Sequence, residues 1–215
     1  MFEFDTKKYT ALNEFAEQNG IVIFGGSEDR EIPLCELKQA FALESRLYNR
    51  SVSGLSITDA IRTYDACVAP LDPEIVLLHI GDADRLLFQE NSAVFDQKYC
   101  ELIAHIRSLN KNCRIAVISL KTPSAPDTSP ACQPENTGNP TNDAVIREMN
   151  RHLQFIADSE HCEFSDITNR RVWNPKETRD VLSFLSTLGF VRPHSCKRPI
   201  YDLIKILFCY ESAYA

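Results

Sequence analysis

The chain has 215 residues, 44% of them hydrophobic, enough to bury one sizeable core as a single α/β domain over 1–215. A net charge of −7 and the absence of any Lys/Arg run exclude a phosphate-neutralising stripe, and nucleic acid is not an expected partner. No apolar run is long enough to cross a bilayer, and the start, Met1 to Lys8, carries neither a signal-type apolar region nor a lipidation motif, so the expected location is cytoplasmic.

Taken in order, helix and strand signals alternate. Asp5 and Thr6 suit the cap of a first helix with Leu12, Phe15 and Ala16 on one face, closed by Asn19-Gly20. Ile21-Val22-Ile23-Phe24 then reads as a short buried strand. Gly25-Gly26 permit a sharp turn that exposes Ser27 at the strand's carboxyl end, with Glu28 and Asp29 suited to a first helical turn. Pro33 starts a helix with Leu34, Leu37 and Phe41 inward. A second strand spans Arg46–Val52, with the turn Ser53-Gly54-Leu55 after it. Ser56 and Asp59 form a capping pattern for a helix bearing Ile57, Ile61, Tyr64 and Val68, which stops before Pro70.

The most strand-like run is Glu74–Ile80, whose near-continuous apolarity fits a central parallel strand covered on both faces. It ends at Gly81-Asp82-Ala83-Asp84. A helix around Val94–Ser108 groups Tyr99, Leu102, Ile103 and Ile106, and Cys113–Leu120 is the fourth strand. Residues 121–141 are rich in Pro, Ser, Thr and Asn without hydrophobic period, a long loop placed where a lid over the sheet's carboxyl edge would lie. Asn142 caps a helix with Val145, Ile146, Met149, Leu153 and Ile156 inward; Cys162–Asp166 is a fifth strand; helices follow at Glu177–Leu188 and Pro199–Phe208. Five strands separated by helices make a doubly wound, five-stranded parallel sheet.

The eight cysteines are scattered singly, without a Cys-x-x-Cys pair, so they read as reduced, mostly buried thiols, and no structural metal site is expected. His79 sits within an apolar strand and reads as a hydrogen-bonded core histidine. A Cys196/His194 nucleophile pair is a weak alternative, since two residues apart on an extended segment they share a face without necessarily meeting.

The turns, in their order, resemble those of the SGNH, or GDSL-type, hydrolase superfamily. That family's first strand ends in Gly-Asp-Ser, and Phe24-Gly25-Gly26-Ser27 stands there in this chain. Its Asn-x-Gly-x-Ser-Gly is matched by Asn49-Arg50-Ser51-Val52-Ser53-Gly54, its Gly-x-Asn-Asp by Gly81-Asp82-Ala83-Asp84, and its final Asp-x-x-His by a segment ending at His194. The resemblance implies a flavodoxin-like, three-layer α/β/α sandwich and an esterase, lipase or deacetylase acting on a small ester or acylated carbohydrate. It implies Ser27 as nucleophile, His194 as its base, and the amides of Ser27 and Gly54 as the oxyanion hole. No metal or organic cofactor is implied.

Two positions depart from the pattern. Ala83 replaces the asparagine that supplies a further oxyanion donor, a loss that typically costs about 10²–10³ in rate. Val191 replaces the aspartate that orients the histidine, which can cost on the order of 10⁴. Asp82 and Asp84 are candidate substitutes for that carboxylate, as are Asp166 and Asp180, since a triad is defined in space rather than by chain order. Asp82 and Asp84 equally suit caps of the element after them. Two other functions stay open: a binding protein that keeps the pocket without the machinery, favoured by Ala83 and Val191, and an anion binder at the Gly25-Gly26-Ser27 turn, weakened by Glu28 and Asp29.

Overall fold

Strand β1, Ile21–Gly25, is flanked on both sides by parallel neighbours, and every one of its five residues is buried. In the computed structural model, which describes residues 2–27, 29–40, 45–121 and 140–167, it belongs to a parallel five-stranded sheet. The other strands are β2, Leu47–Asn49; β3, Ile75–His79; β4, Arg114–Ile118; and β5, Glu163–Ser165. The order is β2-β1-β3-β4-β5. This is the doubly wound, flavodoxin-like arrangement expected from the sequence, and its topological switch point lies between β1 and β3.

Alternate residues of a strand point to opposite faces. Val22, Phe24, Val76, Leu78 and Val117 accordingly pack into one core with α3 (Ile57–Cys67), α4 (Arg85–Leu109) and α5 (Pro140–Ser159). Ile23, Leu77, Ala116 and Ile118 are buried on the reverse face. Tyr64 of α3 meets the Phe24 ring edge-on at 5.8 Å and donates its hydroxyl to Asn110 Oδ1 at 2.7 Å. It thus brings a large apolar body into the core without leaving a polar atom unpaired.

Helix α1, Phe2–Asn13, differs from the sequence expectation: Leu12 and Phe15 are 45% and 86% exposed, whereas Asp5 and Tyr9 are buried. Periodicity finds a stripe but cannot say which side is inward when buried polar groups find partners. Tyr9 donates to the Ser51 carbonyl at 2.8 Å, and the Asp5 carboxylate meets Arg30 at 3.3 Å. Helix α4 begins at Arg85, earlier than expected, and breaks at Asn91, whose backbone is non-helical. Helix α2, Leu34–Ala40, packs against β2. The second, third, fourth and fifth strands are all shorter than the sequence suggested. The residues after Asn49 leave the extended ladder to build the site, although Arg50 and Val52 still donate to Ile23 and Gly25 carbonyls.

Among the described residues, no helix is long and apolar enough to cross a membrane. The helices expected at 177–188 and 199–208, Asp180, and all but the ends of the 121–141 loop lie outside the described residues.

Candidate active site

Ser27 emerges just past β1 with an exposed side chain. Gly54, in the turn after β2, adopts φ of 68°, a left-handed conformation open to glycine at no steric cost. Its N–H donates to Ser27 Oγ at 3.0 Å, and Ser53 Oγ lies 3.3 Å from the same atom. The serine and glycine singled out in the sequence therefore meet. Ser27 is exposed in a turn after Gly25 and Gly26, and the described glycines with left-handed backbone are Gly54 and Gly81. Gly25 is needed for a close approach, since a Cβ there would fall 1.9 Å from Asp29 Oδ2.

Two side chains read from the sequence in other roles, Asn49 as part of a motif and Asp5 as a helix cap, tie these two turns together. Asn49, at the end of β2, donates Nδ2 to the Asp29 carbonyl at 2.6 Å and accepts the Ser51 N–H at 2.9 Å. Asp5 of α1 accepts the Ser53 N–H at 3.3 Å while pairing with Arg30, so one buried carboxylate grips both the segment after Ser27 and the turn before Gly54. Such fixed donors at the mouth of a sheet suit catalysis, because little reorganisation remains when charge develops.

The turn Asp82–Asp84 divides its acids. Asp82 is exposed and pairs with Arg85. Asp84, 3% exposed, receives the Ile57 N–H on both carboxylate oxygens at 3.1 and 2.9 Å, so it caps α3. Ser56, expected to do this, bonds Asp59 and Thr58 instead. Burial pushes the Asp84 carboxyl up from the ordinary 3.8 to about 6, against the lowering effect of the Ile57 N–H and with help from Asp59 and Asp82. The folded state thus holds this proton more tightly than the unfolded chain. Asp84's contribution to stability is fully present below about pH 4 and is lost as pH rises to about 6. Asp84→Asn, whose amide oxygen still accepts from Ile57, is expected to gain on the order of 2–3 kcal/mol over the wild type between pH 4 and pH 7.5. Urea midpoints at the two pH values measure this. An identical pH dependence in both proteins would show that Asp84 does not titrate in this window.

A cleft at the β1/β3 switch point is lined by Gly26, Ser27, Asp29, His79, Asp82 and Lys121. In this cleft the His79 ring at the end of β3 places Nδ1 at 2.8 Å from each Asp29 oxygen. Asp29 is 1% and His79 7% exposed. His79 is the hydrogen-bonded buried histidine expected, but its partner was not legible, being 50 residues away in the chain. Asp166 bonds Ser119 on the far side of β4. Neither His194 nor Val191 lies within the described residues.

A family model for GDSL-like lipases/acylhydrolases matches residues 26–187, from the Ser27 turn to beyond β5. The chain belongs to that family. No curated protein matches it by sequence. Among solved structures, a protein from Streptococcus pneumonia provisionally described as a platelet activating factor superposes with a TM-score of 0.65 at 18% identity, over 97% of this chain and 92% of that one. A GDSL-like lipase from Bacteroides thetaiotaomicron gives 0.52 at 18%, over 97% of both chains. The acetyl xylan esterase AlAXEase gives 0.54 at 17%, over 90% of this chain and 98% of the other.

Ala83 is exposed and brings only a methyl group to the turn where the sequence comparison expects an amide donor. The mostly buried thiols expected from the sequence are not found among the described cysteines: only Cys67 is fully buried, Cys35 is exposed, and Cys100, Cys113 and Cys162 are half-buried. Burial raises Cys67 and Cys162 to about 11 and Cys113 to about 12, which keeps them protonated. Among the described residues, no group of three His, Cys, Asp or Glu side chains could hold a metal.

Proposed function

We propose that the chain hydrolyses carboxylic esters through an acyl-enzyme on Ser27, with a small ester or an acetylated carbohydrate as substrate. The observation that carries this reading is the 3.0 Å contact between an exposed Ser27 Oγ and the Gly54 N–H at the mouth of the sheet. As Oγ turns toward a bound carbonyl, that N–H is released from the serine and becomes available to the carbonyl oxygen. The Ser27 and Gly54 amides then stabilise the tetrahedral oxyanion. His194 is the base that the sequence resemblance supplies. Acetylated sugars are the first substrates to try, because structural neighbours of this fold include acetyl xylan esterases by name. The singly scattered cysteines, free where they are described, support a cytoplasmic location.

Ala83 favours a second reading, a ligand-binding member of the family that has lost its catalytic machinery. One experiment separates the two: labelling with a fluorophosphonate probe, with p-nitrophenyl acetate turnover followed in parallel, on wild type and Ser27→Ala. The hydrolase reading expects both signals in the wild type and their loss by several orders of magnitude in the variant, at unchanged circular dichroism. A folded wild type that neither labels nor turns over ester leaves the binding reading.

A further inference from the structure

Ser53 stands one residue before Gly54, in the second position of a turn from Val52 to Leu55. The Leu55 N–H closes that turn on the Val52 carbonyl at 3.2 Å, and Gly54, with φ of 68°, takes the third position. The backbone that carries Ser53 is fixed from two sides. Val52 donates to the Gly25 carbonyl of β1 at 3.0 Å, and the Ser53 N–H donates to the buried Asp5 carboxylate at 3.3 Å. Held in this way, the Ser53 hydroxyl lies 3.3 Å from Ser27 Oγ, which is its one hydrogen-bond partner among the described residues.

The chemistry of the nucleophile decides the direction of that contact. Ser27 has a single hydroxyl hydrogen to give. When this hydrogen is directed at a general base, as attack on an ester requires, the oxygen is left with lone pairs alone, and Ser53 can meet it only as a donor. Two donors from adjacent residues then converge on Ser27 Oγ, the Gly54 N–H at 3.0 Å and the Ser53 O–H at 3.3 Å. In a tetrahedral adduct Oγ and the oxyanion are bonded to the same carbon. Donors gathered around Oγ therefore stand close to the charge that develops, and a hydroxyl follows it by a change of torsion alone. A hydrogen bond to that charge is also stronger than one to a neutral serine. The family pattern draws a further donor from the turn after β3, where this chain has Ala83.

We propose that the Ser53 hydroxyl is an oxyanion donor of the Ser27 site, standing in for the amide that Ala83 lacks; this rests on the esterase reading above. As Ser27 Oγ bonds to the ester carbonyl carbon, its proton passes to the base that the sequence resemblance supplies, and the carbonyl π electrons move onto the carbonyl oxygen. Ser53 keeps its own proton and shifts its hydrogen bond from Ser27 Oγ to that oxygen, beside the amides of Ser27 and Gly54. When the adduct collapses, the carbonyl re-forms, the alcohol departs with the proton held by the base, and the Ser53 hydrogen bond weakens again. Water then adds to the acyl-serine and gives a proton to the base, which returns it to Ser27 Oγ as the carboxylic acid leaves. Ser53 stabilises the adduct in both halves without any bond to it being made or broken.

The test is steady-state hydrolysis of p-nitrophenyl acetate by the wild type, Ser53→Ala, Ser53→Thr and Ser53→Val, each checked for native circular dichroism and urea midpoint. Ser53→Ala is expected to lower kcat by at least about tenfold with KM within about twofold, because the lost donor acts on charge absent from the ground state. Threonine keeps the hydroxyl, and valine matches its shape without one. Ser53 lies outside the left-handed region, so neither β-branched side chain strains the backbone. The threonine variant should therefore exceed the valine variant in kcat by about tenfold or more, a contrast that decides the matter even if the alanine variant does not fold. An alanine variant with wild-type kcat overturns the proposal and leaves the esterase reading intact. Threonine and valine variants that are equally slow also overturn it, since the shape of the turn and not the hydroxyl would then set the rate. A folded wild type without turnover defeats the esterase reading itself, and this proposal with it.

Discussion

Gly25→Ala is expected to cost on the order of 3–4 kcal/mol, a large share of the roughly 5–15 kcal/mol that holds a domain of this kind together. The added methyl group would stand 1.9 Å from Asp29 Oδ2 and 2.9 Å from both Asp29 Cγ and the His79 carbonyl oxygen. The first contact involves a side chain, but one anchored by two 2.8 Å approaches to His79, and the second involves a strand backbone that cannot retreat. Gly26 is the matched control, because nothing lies within 4 Å of a Cβ there. Gly26→Ala should shift the urea midpoint little, by under about 0.5 kcal/mol. Adding Asp29→Ala to Gly25→Ala should recover part of the loss, leaving the clash with the His79 carbonyl. Equal midpoints for the two glycine variants would mean that Asp29 does not lie against β1.

Ala83→Asn is expected to raise ester turnover, a gain where most substitutions near a site bring a loss. The family pattern places an amide donor at this position, and one such donor is typically worth about 10²–10³ in kcat. Ala83 is exposed on a single helical turn, beside Asp82 at the cleft wall, so a longer side chain displaces no core residue. The expected result is a rise of at least about tenfold in kcat/KM for p-nitrophenyl acetate, carried mostly by kcat because the donor acts on charge absent from the ground state. Ala83→Leu, similar in bulk without a donor, should give no gain. If the asparagine and leucine variants behave alike, the turn after β3 does not face the oxyanion in this protein.

The sheet was legible because its two central strands are covered on both faces. Ile21–Phe24 and Ile75–Leu78 therefore appear as unbroken apolar runs. Ser27 and Gly54 were legible from local turn chemistry and from the order of motifs. Helix α1 was misread because the buried Asp5 carries no outward sign of its partners, Arg30 and the Ser53 N–H, which become neighbours only on folding. The same applies with greater force to Asp29 and His79. One looked like an acid in a first helical turn and the other like a lone histidine in an apolar strand, and only the parallel register of Gly25 with His79 brings them together. Helix α4 was placed too late because Arg85–Glu90, before the break at Asn91, shows little apolar periodicity and leaves Leu86 exposed.

The strand order also governs how the chain comes to be folded during synthesis. β1 is the second strand in space but the first in sequence, and its partner on one side, β3, begins 50 residues after β1 ends, at Ile75. At roughly 5–20 residues per second of translation, the nascent chain carries the bare edge of Ile21–Gly25 for roughly 3–10 seconds before β3 can cover it. β2 can shield the opposite edge sooner, over three residues. During that interval an unpaired, fully apolar strand invites pairing with other chains, which makes β1 the segment most in need of a chaperone and the first place to look if overexpressed protein collects in inclusion bodies.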